Sequence, residues 1–469
     1  MKFKTKPFAH QLEVWDISKD KEYYALFMEQ GTGKTKVSID TINYLFDLGL
    51  IDGCLILAPN GVHSNWIVNE LPVHANFSYV DHNWNGKKAK KELSRINDFF
   101  NDETDRLKVL AMNIESIRTD FGYKTADAFV SKHKTITIID ESTIIKNYKS
   151  LQGKAACKIG NKSCYRRILS GTPIAQSPLD MWGQVQFLDK TALPQSNYTA
   201  FKNQYAITIL DNSGQRVFER ILGYQNLDRL TESIKPFSFR VLKKDCLDLP
   251  EKVYQQEVIP LTTEQEKAYK DMKEMAFTMI EDGLITSTNA ITTMLRFHQI
   301  VCGFVKDDMG EIHDIKNNRL ERLLEMVQRI DGKVIIWAVF KHNIKQIKDA
   351  LGDEAVTYYG DTPKGERDNN VHRFNNNPSV RFFVANEAAS RGLTLVSSHT
   401  SIYFANNFKL ETRLQSEDRN HRIGQRETVS YIDFVSPGTI DERIVRALKD
   451  KKNISDTVMR NVSAMKDLI

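Results

Sequence analysis

Short apolar runs separated by amphipathic or turn-forming stretches recur in the first and last parts of the chain and thin out between them. Residues 24–28, 54–58, 109–112, 136–139 and 167–169 read as buried strands, each followed by polar, turn-forming or helical sequence. Unbroken apolar runs of this kind belong to strands covered on both faces, so the pattern predicts a parallel sheet between helical layers. A second set starts at 334–339 and continues with 355–359, 381–385, 400–404 and 429–434. In the middle, from about 190 to 310, the stretches 262–281 and 290–301 look helical and partly basic. A charged helix is predicted at 439–452, with 453–469 continuing as a helical tail. The expected fold class is α/β, two parallel-sheet units with helical insertions between them.

Composition narrows this little further. The 469 residues are 41% apolar and 27% charged, which excludes disorder as the general state. The apolar run 334–340 is far shorter than the roughly 18 residues that span a bilayer, and the N-terminal MKFKTKPFAHQ has no apolar signal core. A soluble, intracellular protein with no membrane partner is therefore expected. The formal charge of +5 is mild and does not by itself nominate nucleic acid. The five cysteines, Cys54, Cys157, Cys164, Cys246 and Cys302, form no CxxC pair and read as reduced, mostly buried thiols. The cluster Lys87-Lys88-Ala89-Lys90-Lys91 reads as a solvated helix face or a phosphate contact.

Two strings carry chemistry. After the first strand comes Glu29-Gln30-Gly31-Thr32-Gly33-Lys34-Thr35, opening a helix. Glycines let such a loop turn its N–H groups around a phosphate, and the helix N-terminus adds a favourable partial charge. Lys34 would reach the β and γ phosphates and the Thr35 hydroxyl would ligate Mg2+. The full pattern has Gly where this chain has Met28. The second string, Ile136-Thr137-Ile138-Ile139-Asp140-Glu141, is a β-branched strand ending in two carboxylates, 106 residues after Lys34. P-loop ATPases place one acid on Mg2+ and another on the attacking water in this way, which assigns Asp140 to the metal and Glu141 to water activation.

In order along the chain, GTGKT, DEST, Leu169-Ser170-Gly171-Thr172-Pro173 and Gln415-Ser416-Glu417-Asp418-Arg419-Asn420-His421-Arg422-Ile423-Gly424-Gln425 resemble motifs I, II, III and VI of superfamily 2 helicases, specifically the Snf2 family. The last string departs from the family's pattern only by Ser416 for Ala. The resemblance covers nearly the whole chain and implies two RecA-like lobes: 1–245 with a helical insertion from about 190, a linker at 246–256, and 257–469 with a helical insertion to about 315 and a tail from about 439. It implies an enzyme, a DNA-dependent ATPase with ATP and Mg2+ as cofactors, in which Lys34, Asp140, Glu141, Arg419 and Arg422 are catalytic. Gln11 of Pro7-Phe8-Ala9-His10-Gln11 would read adenine, and Gly31, Thr32, Gly33, Thr35 and Gly392 would join Lys34 around the nucleotide. Pro59 and Asn60 resemble motif Ia; Asn113, Glu115 and Ser116 resemble motif Ib; Ser390 and Arg391 belong to a motif V-like stretch. All seven would touch DNA. Ser170, Gly171, Thr172 and Gln415 would couple nucleotide to DNA.

Three departures stand out. Thr143 occupies the place where relatives often have His or Arg, Asn406-Asn407-Phe408 replaces the usual Trp-Asn-Pro, and Ala175-Gln176-Ser177 replaces Gln-Asn-Asn. The resemblance implies a DNA translocase working in an interlobe cleft on double-stranded or branched DNA, mainly through backbone contacts, with strand-separating helicase activity on DNA or RNA as the near alternative and a nonhydrolysing scaffold as a distant one. A minimal bacterial or phage-type member, monomeric, with replication, recombination or repair proteins as partners, fits branch migration, fork remodelling or protein displacement.

Overall fold

In the computed structural model, residues 2–211, 218–281, 287–307, 309–390 and 392–463 are described. The chain divides into two compact units, one comprising 1–209, 220–247 and 453–469, the other 210–219 and 248–452.

The first unit is built on β1 (Tyr23–Met28), β2 (Gly53–Ala58), β3 (Tyr79–Asn83), β4 (Leu107–Asn113), β5 (Thr135–Asp140) and β6 (Tyr165–Leu169). A two-stranded sheet of β7 (Ala206–Asp211) and β8 (Phe218–Tyr224) follows, and β9 (Ser238–Val241) then returns to the main sheet. The order is β3-β4-β2-β5-β6-β1-β9, with every pair parallel. Successive side chains alternate between faces, and here both faces are dry. Ala25, Phe27, Leu55, Leu57, Leu110 and Met112 enter one core, whereas Tyr24, Leu26, Met28, Cys54, Ile56 and Val109 enter the other. This is why the strands read as unbroken apolar runs. Helices α1 (Ala9–Ser18) and α2 (Lys34–Asp47) flank the nucleotide-loop candidate.

The second unit holds β10 (Lys252–Val258), the short antiparallel pair β11 (Phe304–Lys306) and β12 (Ile312–Asp314), and then β13 (Lys333–Trp337), β14 (Ala355–Tyr358), β15 (Phe382–Ala385), β16 (Ser398–Tyr403) and β17 (Val429–Val435). Its main sheet runs β10-β17-β16-β13-β15-β14, again all parallel. Val334, Ile336, Phe382 and Val384 face one core, and Ile335, Trp337 and Phe383 the other. A third cluster joins Tyr269, Ile300, Val301, Leu410, Ile440 and Ile444 across the helices Thr263–Glu281, Ser287–Val301, Leu410–Glu417 and Ile440–Ser463.

The α/β expectation agrees with this architecture, and all ten predicted strands are present. The middle is less purely helical than its sequence suggests: it supplies an edge strand to each main sheet. β9 pairs with β1, and β10, which begins inside the stretch read as a linker, pairs with β17. Edge strands need only partial burial, so the mostly exposed Lys252–Val258 carries no apolar run to betray it. Of the cysteines, Cys54 and Cys302 are buried, Cys157 and Cys246 half-buried and Cys164 exposed, and none of the five is in a disulfide. Lys87 to Lys91 are solvent-exposed. No helix among the described residues is long and apolar enough to cross a membrane.

Candidate nucleotide site and arginine motif

Because the first sheet is parallel, the C-terminal residues of its strands share one edge. Met28, Ala58, Asn113, Asp140 and Leu169 end β1, β2, β4, β5 and β6, so motifs I, Ia, Ib, II and III all emerge there. Ligands of open α/β sheets bind at this carboxyl edge.

The loop after β1 turns through Gly31 at φ 82° and Gly33 at φ 91°, conformations that favour glycine. Gly33 caps the start of α2, and a Cβ there would run into the Gln11 amide. Lys34 is buried, and its Nζ donates to the Met28 carbonyl (2.8 Å) and the Glu29 carbonyl (3.4 Å), which holds the ammonium at the end of β1. Thr35 is half-buried beside it. Thr32 Oγ1 donates to the Glu29 carbonyl (2.7 Å), and the Thr32 carbonyl accepts from Gln11 Nε2 (3.1 Å) and His10 Nε2 (2.8 Å). Gln11 Oε1 accepts from Phe8 N–H (3.0 Å). The Gln11 amide thus braces the loop, with one donor hydrogen and one acceptor lone pair left for a base edge.

Asp140 is buried at the end of β5. Its Oδ2 accepts from Trp66 Nε1 (3.0 Å) and its Oδ1 from Glu141 N–H (3.0 Å). Burial raises its carboxyl above the ordinary value, and the nearby Lys34 ammonium, with the Trp66 and Glu141 donors, opposes that rise. Glu141 adopts φ 54°, and its Oε1 accepts from Gln30 Nε2 (3.3 Å), so the acid pair sits against the glycine loop. The Asp140 carboxyl, close enough to Lys34 at the start of α2 to feel its ammonium, and the hydroxyl of the adjacent Thr35 fit Mg2+, which takes one or two protein oxygens and otherwise uses phosphates and water.

Motif III packs on the same loop: a Cβ on Gly171 would lie 3.4 Å from Gln30 N and 3.6 Å from the Met28 carbonyl. Ser170 Oγ accepts from Thr172 N–H (3.1 Å). Sequence reasoning missed Arg240 on β9. Its guanidinium is buried, donates to the Gly171 carbonyl (2.8 Å) and the Phe27 carbonyl (3.4 Å), and lies 3.8 Å from Glu29. A charge inside the short run Ser238–Val241 was the available signal.

At the neighbouring strand ends, Pro59 is buried and Asn60 exposed, and Ala58 is the register partner of Asn113. Asn113, Glu115 and Ser116 are half-buried, and Ser116 Oγ donates to the Asn113 carbonyl (2.7 Å).

In the second unit, helix Leu410–Glu417 and the turn after it carry motif VI. Arg419 Nε donates to the Gln415 carbonyl (2.8 Å) and its Nη1 to the Leu393 carbonyl (3.0 Å). Arg422 Nη1 donates to the Leu393 carbonyl (3.2 Å) and Thr394 Oγ1 (2.8 Å). Both arginines therefore rest on the motif V loop, next to the exposed Gly392 at φ 74°. Gln415 Nε2 donates to Glu411 Oε1 (3.1 Å). Arg391 and the Ser390 side chain lie outside the described residues. Behind the arginines, Glu417 is buried and accepts from Arg413 Nε (2.9 Å), Lys252 Nζ (3.1 Å) and the Tyr254 hydroxyl (2.8 Å), while Arg413 also pairs with Asp433. Burial alone would raise the Glu417 carboxyl, but Lys252 and Arg413 hold it down to about 2.

A glycine loop on a helix N-terminus beside a strand-end acid pair in one α/β unit, and an arginine motif in the other, are features of the P-loop-type class. The chain matches the model of the SNF2-related domain over residues 17–304 and that of the helicase conserved C-terminal domain over 315–424, and it belongs to the SNF2 family. It is 25% identical over 432 residues to YwqA of Bacillus subtilis, whose name is that of an ATP-dependent helicase/translocase, covering 88% of this chain and 44% of that protein. It is 26% identical to the ATP-dependent helicase MG018 of Mycoplasma genitalium, over 94% of this chain and 40% of that one. With the yeast transcription regulatory protein SNF2 it shares 25% identity over 92% of this chain and 26% of that one. The chain thus spans less than half the length of these relatives. The SWI2/SNF2 ATPase core of Sulfolobus solfataricus, solved in complex with dsDNA, is similar at 25% identity, covering 99% of this chain and 96% of that one, with a TM-score of 0.43.

Proposed function

We propose that this chain is a DNA-dependent ATPase of the Snf2 type that couples ATP hydrolysis to movement along double-stranded or branched DNA. The observation that carries this reading is the gathering of Lys34, Asp140 and Glu141 at one strand edge, with the buried Lys34 ammonium close enough to the Asp140 carboxyl to oppose its rise. Family membership supports the coupling to DNA. Lys34 and the N-terminus of α2 hold the phosphates, Thr35 and Asp140 would hold Mg2+, and Glu141 orients the attacking water. The metal, when bound, neutralises charge developing on the β and γ phosphates. Arg419 and Arg422 supply the remaining positive charge, a contribution of about 10³ to 10⁵ in rate for arginines of this kind. Positioning and electrostatics do the chemistry without a covalent intermediate. Branch migration, fork remodelling or displacement of bound protein are the tasks such a motor performs.

The test is steady-state ATP hydrolysis at fixed salt without nucleic acid and with single-stranded DNA, duplex DNA, a four-way junction or RNA. Stimulation chiefly by duplex or junction DNA is expected, and Lys34→Ala should abolish it while DNA binding survives. Stimulation chiefly by single strands or RNA would replace this reading with a strand-separating helicase. Hydrolysis by no combination would reduce the chain to a binding scaffold.

A further inference from the structure

We infer that Gln184 is a positioning residue that links the acid pair to motif III, through a buried relay running from Ser142 to Gln184 to Pro173. Ser142 follows Glu141 directly, and its Oγ donates to Gln184 Oε1 at 2.7 Å. Gln184 Nε2 donates to the Pro173 carbonyl at 2.7 Å and to the Asp180 carbonyl at 3.0 Å. Ser142 and Gln184 have no exposed surface at all, so water cannot stand in for either partner.

The amide has the right chemistry for the task. Its oxygen receives the motif II hydroxyl and its two N–H groups reach the motif III carbonyl and the carbonyl of its own helix, so both donors are used. A hydrocarbon side chain of the same size would fill the space and leave the Ser142 hydroxyl and the Pro173 carbonyl unpaired.

The helix that carries Gln184, Asp180–Leu188, is seated on both motifs by independent contacts. A Cβ on Gly183 would lie 2.5 Å from the Ile145 carbonyl, so the helix touches the turn after motif II backbone to backbone. Asp180 Oδ2 accepts from the backbone N–H groups of Ala175 (3.1 Å), Gln176 (2.7 Å) and Ser177 (3.3 Å), fixing the loop that follows Pro173. The helix is thus a brace between the turn that orients Glu141 and the loop that rests on Gln30 and the end of β1. A shift of Glu141 on loss of the γ phosphate would be transmitted through Ser142 and Gln184 to Pro173.

This inference rests on the proposed DNA-dependent ATPase activity, and the experiment separates the two. The 469-residue wild type, Ser142→Ala, Gln184→Met and the double variant are compared for ATP hydrolysis with and without duplex DNA, for the KM of ATP, for duplex binding and for melting temperature. Each single variant is expected to lose about tenfold in DNA-stimulated kcat, with KM for ATP and duplex affinity within about twofold of wild type. The double variant should lose no more than the worse single one, because both cuts open the same relay. Wild type without DNA-stimulated hydrolysis would overturn the activity itself. With wild type active, unchanged kcat in both singles, multiplied losses in the double, or losses that only follow the melting temperature would each overturn the relay. Gln184→Glu keeps the acceptor for Ser142 but loses the donors to Pro173, and it should behave as Gln184→Met does.

Discussion

Glu417 carries a load that its place in motif VI does not announce. It is buried between Arg413 and Lys252, and the hydroxyl of Tyr254 completes its shell. Its carboxyl ionises at about 2 instead of the ordinary 4.5. The lowered value means that the folded state holds the ionised form more tightly than the unfolded chain does. The resulting stability is fully present above pH 4.5 and is lost as pH falls toward 2. The difference corresponds to about 3 kcal/mol. Glu417→Gln should therefore lower stability at neutral pH by an amount of that order and flatten the acid limb across this window; denaturant melts at a series of pH values check both. The catalytic candidates Lys34, Asp140, Glu141, Arg419 and Arg422 were legible because each sits in a contiguous string whose chemistry can be read locally. Arg240 and Gln184 were not, because each acquires its meaning from a carbonyl brought near by folding, 69 residues away for Gly171 and 11 for Pro173.

Among the elements, helix Asp180–Leu188 shows how a fold can depend on the absence of a side chain. Gly183 lets it approach the carbonyls of Ile145 and Lys146. Gly183→Ala should force the helix away and cost about 1 to 3 kcal/mol, as overpacking of a tight interface does. Because the same movement would lengthen the Ser142 to Gln184 bond, the variant should lose DNA-stimulated hydrolysis as well as melting temperature; calorimetry and the ATPase assay on one preparation measure the pair. Buried strands announced themselves here because dryness on both faces demands runs such as Cys54-Leu55-Ile56-Leu57-Ala58. β3, β9 and β10 escaped notice for the opposite reason. They lie at sheet edges, where polar residues such as those of Tyr79–Asn83 and Lys252–Val258 are tolerated.

For the molecule as a whole, the proposed function sets a net charge of +5 against a partner that carries one negative charge about every 1.7 Å of duplex axis. Binding through backbone contacts releases counterions, so the duplex concentration needed for half-maximal ATPase stimulation should rise steeply between 50 and 200 mM salt, by about 40-fold if as few as three phosphates are contacted. The KM for ATP should move far less, because its phosphates enter a partly buried loop where screening is weaker. Titrations of duplex and of ATP at several salt concentrations distinguish the two. The two parallel sheets were foreseen from the recurrence of apolar runs; the strand that each takes from the intervening segment was not.

That borrowing has a consequence in time. The strand leading into the nucleotide loop, β1, lies between β6 and β9, and Arg240 of β9 holds both its Phe27 carbonyl and the Gly171 carbonyl. The residues that would grip ATP precede the wall they stand against, which is not complete until residue 241 has been added. A growing chain on the ribosome therefore adds about 200 residues after its GTGKT string before β9 can finish the frame around it, so nucleotide is a late folding template and not an early one.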